Sequence, residues 1–557
     1  MPVFEDILVA RGLTGRARDA FLNPSYDAKH DPFLLPDVDK AVERLVTAHA
    51  HQERITIYGD YDIDGLTATT ILLDAFESFG FAHVDAFIPN RFVEGYGLTV
   101  DAVEKIAATG AQLIITVDCG SLSEKEIVRA GELGVDVIVT DHHNVAPVQP
   151  PAVAVINPKR LLQDHPDKYE DFLLKEPVDS LYPFLDLAGC GVAFKLVQAL
   201  QTRLKGLDSG QEKWLLDLVA LGTVCDVVTL VDENRANVYW GLKVLSQTRR
   251  QGLKALMLVS GVEPTKVNAR SLGFALGPRM NAAGRLETAQ YALDMLRATN
   301  PEDALEKAEL LDEMNRTRRA EQDAIYKEAI LQAEQFADDP VLVVSAVGWN
   351  HGIIGIVAAK LLEKYKKPTY VLEEMGEEAK GSARSYGDFS AADAIRASDD
   401  IITKGGGHKL AAGVTLPVAK IGVFRERVNA VYRAQNLQNQ QDLLLPKADT
   451  TTTLDIVTEE LIELLASLEP YGNGNPQPVL RSENLLVIGQ RRMGADGQHV
   501  KLTFQDDATK LDMLAFNAPE HFFVEPGEYV TVWYQPDVNE WNGRRSVEGR
   551  LLHLETA

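Results

Sequence analysis

The chain has 557 residues, which exceeds the length that one hydrophobic core usually serves, so three or four domains are expected. With 45% hydrophobic and 25% charged residues, the composition is typical of a globular protein. The apolar runs are too short to cross a bilayer, and residues 1–13 carry charges where a signal peptide is apolar, which predicts a cytoplasmic protein with no membrane association. The formal net charge of −25 excludes a generally basic surface, so any nucleic-acid-binding surface must be a local groove.

The predicted elements divide the chain into five regions. In order, these are a helical lead-in (residues 1–50), a doubly wound parallel α/β sheet (51–235), a helical connector (236–338), a smaller α/β domain (339–437) and a β-barrel (450–557). The connector is predicted to end in one long helix over residues 300–336, which are rich in Ala, Glu, Leu and Arg. An acidic stretch at 164–179 has little periodicity and predicts a surface loop or short helix.

Four short acidic segments each fall where a hydrophobic run ends. They are GDYDIDG at 59–65, Asp118-Cys119-Gly120, Asp141-His142-His143 and Asp226. The first three follow apolar runs that predict buried parallel strands at 55–58, 113–117 and 135–140. Because the carboxyl ends of parallel strands line one crevice, these distant residues are expected to converge. Carboxylates gathered there repel one another unless cations bind between them, which predicts a metal site.

The aspartates at the first two strand ends also have an ordinary structural explanation. Asp60, Asp62 and Asp64 alternate along a turn and could cap the helix that is expected to begin near Leu66. Asp118 could cap the following helix in the same way. The first segment alone therefore favours a helix cap over a metal site, and Asp118 alone could equally be either.

The remaining two segments raise the weight of the metal interpretation. A histidine pair is more often a polar surface feature, yet two imidazoles at a third strand end suit manganese. Asp226 lies within the otherwise apolar residues 218–230, where burial without a partner is costly. A metal ion or a hydrogen-bonded cap must compensate it, so the four segments together favour a two-metal phosphoesterase.

Three glycine-bounded motifs suggest phosphate binding. GGGH at 405–408, followed by AAG at 411–413, predicts a glycine turn leading into a helix, where exposed N–H groups and His408 could hold a phosphate. GSARS at 381–385 adds hydroxyl groups and Arg384, and GPRMNAAGR at 277–285 adds further arginines. Taken singly, each arginine could equally be a surface or ion-pair residue.

Ten motifs, in their order along the chain, resemble the RecJ branch of the DHH phosphoesterase superfamily. They are GDYDIDG, PNRFVEGYGL (89–98), ITVDCG, IVTDHH, LAGCGVAFKL (187–196), LGTVCDVV, LGFALGPRMNAAGR (272–285), GSARS, GGGHKLAAG and LEPYGNGNPQPV (468–479). The resemblance extends over almost the whole chain. It implies a DHH domain and a DHH-associated domain joined by a long helix, followed by an OB-fold.

The resemblance also implies an activity. It is that of a 5′ to 3′ exonuclease, specific for single-stranded DNA, which uses two divalent cations, Mn²⁺ or Mg²⁺, releases 5′-mononucleotides and acts in DNA recombination and repair. The implied partners are a single-strand-binding protein and a RecQ-type helicase, and the implied state is a monomer.

Site residues follow from the same resemblance, position by position. The metal ligands would be Asp62, Asp64, Asp118, His142 and Asp226, with Asp118 as the bridge and Asp60 as a further acidic ligand. His143 matches a supporting histidine, and either His143 or His408 is expected to donate a hydrogen bond to the transition state. Contacts with the 5′ phosphate would come from Arg91, Ser382 and Arg384. Other substrate contacts would come from Arg279, Asn281, Arg285, Gly406, Gly407 and His408.

The predicted barrel is expected to add contacts to the nucleic acid. Its candidate stacking residues are Phe504, Phe516 and Trp541. Its candidate basic residues are Arg491, Arg492, Arg544 and Arg545. Barrel aromatics are more often part of the core.

Two other functions remain open at this point. One is a phosphodiesterase of the same superfamily that cleaves short oligonucleotides or cyclic dinucleotides, and the barrel and long connector argue against it. The other is a non-catalytic replisome scaffold. The presence of a metal-binding residue at every predicted ligand position argues against it.

Overall fold

The structure is a computed structural model that describes residues 1–168, 170–171, 180–435, 437, 440–494, 496–541 and 543–556. Most of the acidic stretch predicted at 164–179 lies outside these residues; its described part includes a single turn of 3-10 helix, Pro166–Lys168. Among the described helices, none combines the length and the apolar character that a bilayer crossing requires.

The first domain contains a five-stranded, wholly parallel sheet. Its strands are β1 (Ile55–Gly59), β2 (Val84–Phe87), β3 (Leu113–Val117), β4 (Asp136–Thr140) and β5 (Ala154–Ile156), in the spatial order β2-β1-β3-β4-β5. The strands β1, β3 and β4 correspond to the three apolar runs, which confirms the predicted parallel sheet.

Helices cover both faces of this sheet because each face carries apolar side chains from the strands. Ile57 and Ile115 belong to the core on one face, and Tyr58 and Ile114 belong to the core on the other. The helices on the first face include Val38–His51, Ile63–Phe79 and Gly189–Leu200, and those on the second are Val100–Ala108 and Glu124–Glu132. The doubly wound architecture is therefore confirmed.

Further helices surround the first domain and lead out of it. They are Pro2–Ala10, Gly15–Leu22, Arg160–Asp164, Leu216–Cys225, Asp232–Leu245, Gln251–Ser260, Ala269–Ser271, Gly277–Leu286, Gln290–Arg297 and the connecting helix, Pro301–Gln335, with a π-helical turn at Leu272–Leu276. The connecting helix confirms the long helix that was predicted. Asn300 caps it by accepting a hydrogen bond from the N–H of Glu302 at 2.8 Å. Its first half packs into the core of the first domain and its second half into that of the next.

The second domain is a smaller α/β unit with a mixed sheet. Its strands are β6 (Leu342–Val347), β7 (Thr369–Met375), β8 (Glu378–Arg384), β9 (Lys404–Gly407) and β10 (Ala411–Pro417), in the order β6-β7-β8-β10-β9. Only β6 and β7 pair in parallel, and the helices are Ile354–Tyr365, Ala391–Arg396 and Ile421–Ala434.

The prediction of a helix after the GGGH motif is wrong, because β9 and β10 form a hairpin. Small residues are needed there for close packing: a Cβ on Gly405 would lie 2.4 Å from Ile395 Cγ2. Gly407, with φ +136°, adopts a backbone conformation that side chains rarely allow. The glycines therefore serve a strand packed against a helix.

The last domain is a closed barrel preceded by the helix Glu459–Ala466. Its strands are β11 (Thr450–Thr451), β12 (Leu480–Met493), β13 (His499–Asp506), β14 (Thr509–Ala515), β15 (Tyr529–Trp541) and β16 (Arg544–Thr556). Because β12 pairs with both β13 and β15, and β14 pairs with β16, the sheet closes on itself, as predicted for an OB-fold. Phe4 and Ile7 of the helix Pro2–Ala10 pack into the core of this barrel, far from their position in sequence.

Candidate metal centre and arginine pocket

The ends of three adjacent strands bring the predicted ligands together. Asp60 follows β1, Asp118 follows β3, and His142 follows β4 after one intervening residue. His142 Nε2 lies 3.1 Å from Asp118 Oδ1, 3.5 Å from Asp226 Oδ2 and 3.8 Å from Asp64 Oδ2. The residues therefore form one compact group, called the acidic cluster here: Asp60, Asp62, Asp64, Asp118, His142 and Asp226.

Two aspartates of the cluster lie at the start of the helix Ile63–Phe79. Asp62 is its N-cap, and its Oδ1 accepts hydrogen bonds from the N–H groups of Asp64 and Gly65 at 2.9 and 3.1 Å. The carboxylate of Asp64 accepts hydrogen bonds from the backbone N–H groups of Gly189 and Cys190 at 2.6 and 2.8 Å. Asp62 is thus both a cap and a member of the cluster. The role of Gly189 and Cys190 depends on a tertiary contact and was not found from the sequence.

Asp118 and Asp226 reach the cluster through unusual backbone positions. Asp118 has φ +61°, and a Cβ on Gly189 would lie 2.8 Å from its Oδ1, so only glycine fits beside it. Asp226 is the C-cap of the helix Leu216–Cys225. The other cluster members follow strand ends or lie at the start of the helix Ile63–Phe79.

The cluster has the properties of a divalent-cation site. Three of its buried atoms, Asp60 Oδ1, Asp118 Oδ1 and His142 Nε2, have no hydrogen-bond partner among the described residues. Buried polar atoms are rarely left unpaired, so their convergence indicates a missing ligand. Carboxylate oxygens with an imidazole nitrogen suit Mn²⁺, and the oxygens alone suit Mg²⁺. The residues present therefore fit the predicted cations.

Electrostatic repulsion within the cluster points the same way. Burial and the neighbouring Asp64 and Asp62 carboxylates raise the pKa of Asp118 well above its usual value. Burial and the same two neighbours raise the pKa of Asp226 to about 8. Burial, with the charge of His143, lowers the pKa of His142 to about 3, which keeps its imidazole neutral and able to bind a metal. Cations would relieve this repulsion.

Asp141 supports the histidines and does not join the cluster. Its Oδ1 accepts hydrogen bonds from the N–H groups of His142 and His143 at 2.7 and 3.1 Å, and its Oδ2 accepts one from Ser121 at 3.0 Å. The His143 ring nitrogen Nδ1 lies 2.9 Å from Asp141 Oδ1. Burial acts to lower the pKa of His143, but the Asp141 hydrogen bond and charge raise it to about 9. His143 therefore carries a positive charge beside the cluster at neutral pH.

A group of arginines, called the arginine pocket here, adjoins the cluster. Its members are Arg91, Arg285, Arg318 and Arg384. The Arg91 guanidinium lies 4.1 Å from the ring centre of Tyr61, the residue between Asp60 and Asp62. Burial and the neighbouring Arg91 charge lower the pKa of Arg285 to about 10. Over the described part of the chain, no carboxylate lies within ion-pairing distance of these four arginines.

Four neighbouring cations, Arg318 buried and the other three half-buried, without carboxylate partners indicate an anionic ligand. Arg384 Nη1 donates to Ser382 Oγ at 3.2 Å, and both side chains face the start of the helix Ile354–Tyr365. A Cβ on Gly355, in the first turn of that helix, would lie 2.9 Å from Ser382 Oγ and 3.2 Å from Arg384 Nη2. A helix N-terminus beside an arginine and a hydroxyl group is suited to a phosphate. Arg318 was not predicted, because nothing distinguishes it from the other arginines of the connecting helix.

Several predicted substrate residues lie elsewhere. Arg279 Nε donates to Asp312 Oδ1 at 2.8 Å, so this arginine is already paired. Asn281 lines a cavity of about 880 Å³, together with Arg285 and Arg318. Barrel residues that include Arg550 line the same cavity, so the barrel lies beside the arginine pocket.

The glycines and the histidine of the GGGH motif lie on the β9–β10 hairpin. Gly407 and His408 are exposed and Gly406 is half-buried. Within the described residues, no hydrogen bond or ion pair links the His408 ring to the acidic cluster. The structure therefore does not bring His408 into the group formed by the other predicted catalytic residues.

The candidate stacking residues of the barrel differ in exposure. Phe504 is fully buried in the barrel core, so the prediction of a stacking role is wrong for this residue. Phe516 is 59% exposed and remains available. The side chain of Trp541 lies outside the described residues.

Comparisons with known proteins agree with this geometry. Family models match residues 54–223 (DHH family, N-terminal domain), 338–434 (DHHA1 domain) and 448–553 (RecJ OB domain). The chain is 33% identical over 540 residues to the single-stranded-DNA-specific exonuclease RecJ of Escherichia coli, covering 92% of this chain and 89% of that protein. The chain belongs to the RecJ family. The resemblance stated from the motifs is thereby confirmed.

Other RecJ proteins extend the comparison. RecJ of Bacillus subtilis is 37% identical over 551 residues; the match covers 98% of this chain but 66% of that protein, so the chain spans slightly less than two thirds of this relative. A crystal structure of RecJ in complex with Mn²⁺ from Thermus thermophilus superposes with a TM-score of 0.82 at 29% identity, over 100% of this chain and 76% of that one. A Mg²⁺ complex from the same organism superposes with a TM-score of 0.75. Divalent cations in these RecJ structures agree with the cofactor prediction.

Proposed function

We propose that the chain is a metal-dependent exonuclease, specific for single-stranded DNA, that starts at the 5′ end and releases 5′-mononucleotides. The observation that supports it is the adjacency of two groups of opposite charge: the acidic cluster, whose oxygen and nitrogen atoms suit divalent cations, and the arginine pocket, whose guanidinium groups suit a phosphate. Arg91 against Tyr61 joins the two. The name of the E. coli and B. subtilis relatives, single-stranded-DNA-specific exonuclease, agrees with this function.

In this proposal, the carboxylates of the acidic cluster and the His142 imidazole would hold two divalent cations. When bound, such cations lower the pKa of a water molecule and neutralise the charge on the attacked phosphodiester. The backbone bonds to Asp64 and the Asp141 bonds to the histidines keep the ligands in place before the substrate arrives. His143, positively charged through Asp141, faces the cluster and stabilises negative charge on the phosphoryl oxygens.

The arginine pocket is proposed to bind the terminal 5′ phosphate. Arg91 and Arg384 offer guanidinium groups, Ser382 offers a hydroxyl group, and the start of the helix Ile354–Tyr365 adds the positive end of its dipole. Because the pocket lies at a fixed separation from the cluster, a phosphate bound there places the same phosphodiester at the cluster in every cycle. One nucleotide is then removed per cleavage.

The wider setting of the enzyme belongs to the same proposal. We propose that a single strand follows the cavity beside the barrel, which residues of the first domain, the connecting helix and the barrel line, and that a duplex is too wide for it. An enzyme restricted to single strands needs other proteins to expose them, so a single-strand-binding protein and a RecQ-type helicase are the proposed partners in repair and recombination. We propose that it acts as a monomer in the cytoplasm, where DNA is its substrate.

The function is tested with a single strand of about 50 nucleotides, labelled at either end, in Mn²⁺ and in Mg²⁺. We expect the 5′ label to appear as mononucleotide at the earliest times, while the 3′-labelled strand shortens gradually. A blunt duplex should resist degradation. Initial release of the 3′ label, or hydrolysis restricted to dinucleotides, would show that the proposal is wrong.

A further inference from the structure

Asp226, a member of the acidic cluster, is followed by Val227, whose backbone conformation is unfavourable for a valine. Val227 has φ +62°, in the left-handed region, where a β-branched side chain crowds the backbone. Asp226 itself ends the helix Leu216–Cys225, with its N–H donating to Gly222 O at 2.9 Å. The direction in which Asp226 leaves the helix therefore depends on a conformation that something else must stabilise.

Packing of the valine side chain does not supply that stabilisation, because it is 64% exposed. The Val227 N–H donates only a long hydrogen bond, 3.3 Å, to Val224 O. A shorter bond comes from a distant part of the sequence: Asn473 Nδ2 donates to the Val227 carbonyl oxygen at 2.8 Å. The Asn473 carbonyl oxygen also accepts from the Leu230 N–H at 2.7 Å. Asn473 thus holds both ends of the loop that follows Asp226.

The backbone that leads to Asn473 is anchored to the first domain. The buried Arg235 guanidinium donates to the carbonyl oxygens of Leu468 and Glu469 at 3.0 and 2.9 Å. A Cβ on Gly472 would lie 2.6 Å from a methyl group of Leu230, so the two segments pack without spare room. The backbone that carries the Asn473 amide therefore lies close against the loop after Asp226.

We propose that Asn473 is a positioning residue for Asp226: its amide fixes the Val227 carbonyl group and so directs the Asp226 carboxylate towards the cation site beside His142. This inference rests on the metal-binding role that the proposed function gives to Asp226. It makes the metal affinity of the first domain depend on a residue of the segment that leads into the barrel. No residue of the first domain supplies an equivalent hydrogen bond to the Val227 carbonyl group within the described structure.

The test measures Mn²⁺ binding to the full-length, metal-free chain, by titration calorimetry and by the paramagnetic resonance signal of free Mn²⁺. Asn473→Ala removes the amide, and Asn473→Asp keeps its shape but cannot donate. Loss of one hydrogen bond is expected to weaken the binding of one cation roughly fivefold. The Mn²⁺ concentration for half-maximal nuclease activity should rise by about the same factor, while kcat at saturating Mn²⁺ stays within about twofold.

Asn429→Ala is the matched control. Asn429 is a buried asparagine of the second domain whose side chain accepts from the Val341 N–H at 2.9 Å and donates to Val341 O at 3.1 Å, so its loss costs more hydrogen bonds than the loss of Asn473 but far from the cluster. We expect a lower melting temperature with unchanged Mn²⁺ affinity.

The proposal is overturned if both Asn473 variants bind Mn²⁺ like the parent. It is also overturned if their affinity falls only in proportion to the folded fraction seen by circular dichroism. If Asn473→Ala does not fold, the isosteric Asn473→Asp decides. Mn²⁺ binding that depends on Asn473 in a chain without nuclease activity would refute the proposed function and leave the positioning role supported.

Discussion

The acidic cluster and the arginine pocket lie side by side, but their charged groups are held in different ways. Asp64 is fixed by two backbone N–H groups at 2.6 and 2.8 Å, whereas Arg384 has a side-chain hydroxyl at 3.2 Å and its own backbone neighbour. Asp64 is thus in position before any ligand binds, while the Arg384 guanidinium depends on the ligand for its best partner. We therefore expect loss of a cluster residue to abolish catalysis, and loss of a pocket residue to weaken recognition.

The largest effect is expected for Asp118→Ala, which removes the central carboxylate of the cluster. Nuclease activity in Mn²⁺ should be abolished, because a proposed cation ligand at the centre of the cluster is removed. The melting temperature without metal should stay the same or rise, since Asp118 is repelled by its neighbours. Activity assays and thermal unfolding measure the two effects. Turnover that persists in this variant would remove Asp118 from the site.

A smaller effect is expected for Arg384→Ala, which removes one guanidinium from the pocket. Activity on a 5′-phosphorylated strand should fall roughly 10- to 100-fold, as expected for loss of a charge-assisted bond. Removing the terminal phosphate from the strand should slow the parent more than the variant.

Arg279→Ala is the control for this comparison, since Arg279 is paired with Asp312 outside the pocket. It should keep the full dependence on the terminal phosphate. Equal losses in the parent and in Arg384→Ala on dephosphorylation would contradict a phosphate site at Arg384.

Cation binding should also stabilise the fold, because it neutralises the cluster. Millimolar Mn²⁺ added to the metal-free chain should raise its melting temperature by roughly 2–6 °C, as expected for a ligand well above its dissociation constant. The same addition to Asp118→Ala should have little effect. An equal rise in both proteins would place the stabilising ions elsewhere.

The smallest expected effect is a dependence of stability on pH in the metal-free chain. The pKa of Asp226 is raised from 3.8 to about 8, chiefly by burial and by repulsion from Asp64. A raised carboxyl pKa contributes stability that is complete below the unfolded value and is lost as pH rises through the folded value. The melting temperature should therefore fall by a few degrees between about pH 5 and pH 8.5. Asp226→Asn should flatten this trend; a parent that gains stability over that interval would contradict it.

The acidic cluster could be predicted from the sequence better than the β9–β10 hairpin. The apolar runs before Asp60, Asp118 and His142 are local signals, and the convergence of parallel strand ends follows from general rules, so the cluster could be anticipated. The hairpin at 404–417 could not, because small residues serve close packing in strands and helices alike. The domain boundaries and the roles of the individual site residues remain predictions.

Long-range contacts carried no local signal. Arg279 and Arg285 lie in one motif, yet one pairs with Asp312 on the connecting helix and the other lies unpaired in the pocket. Only the packing of that helix separates them. Likewise, the amide of Asn473 meets Val227 across 246 residues of sequence, a contact that no periodicity indicates.

The packing of the helix Pro2–Ala10 into the barrel core has a consequence for biosynthesis. Its side chains Phe4, Ile7 and Leu8 leave the ribosome long before the segments that this helix contacts, β11 (Thr450–Thr451) and the helix Glu459–Ala466. At typical rates of roughly 5–20 residues per second, these apolar groups wait on the order of half a minute or longer for their partners. The nascent chain thus exposes an apolar segment during most of its translation, and such a segment is suited to bind a chaperone.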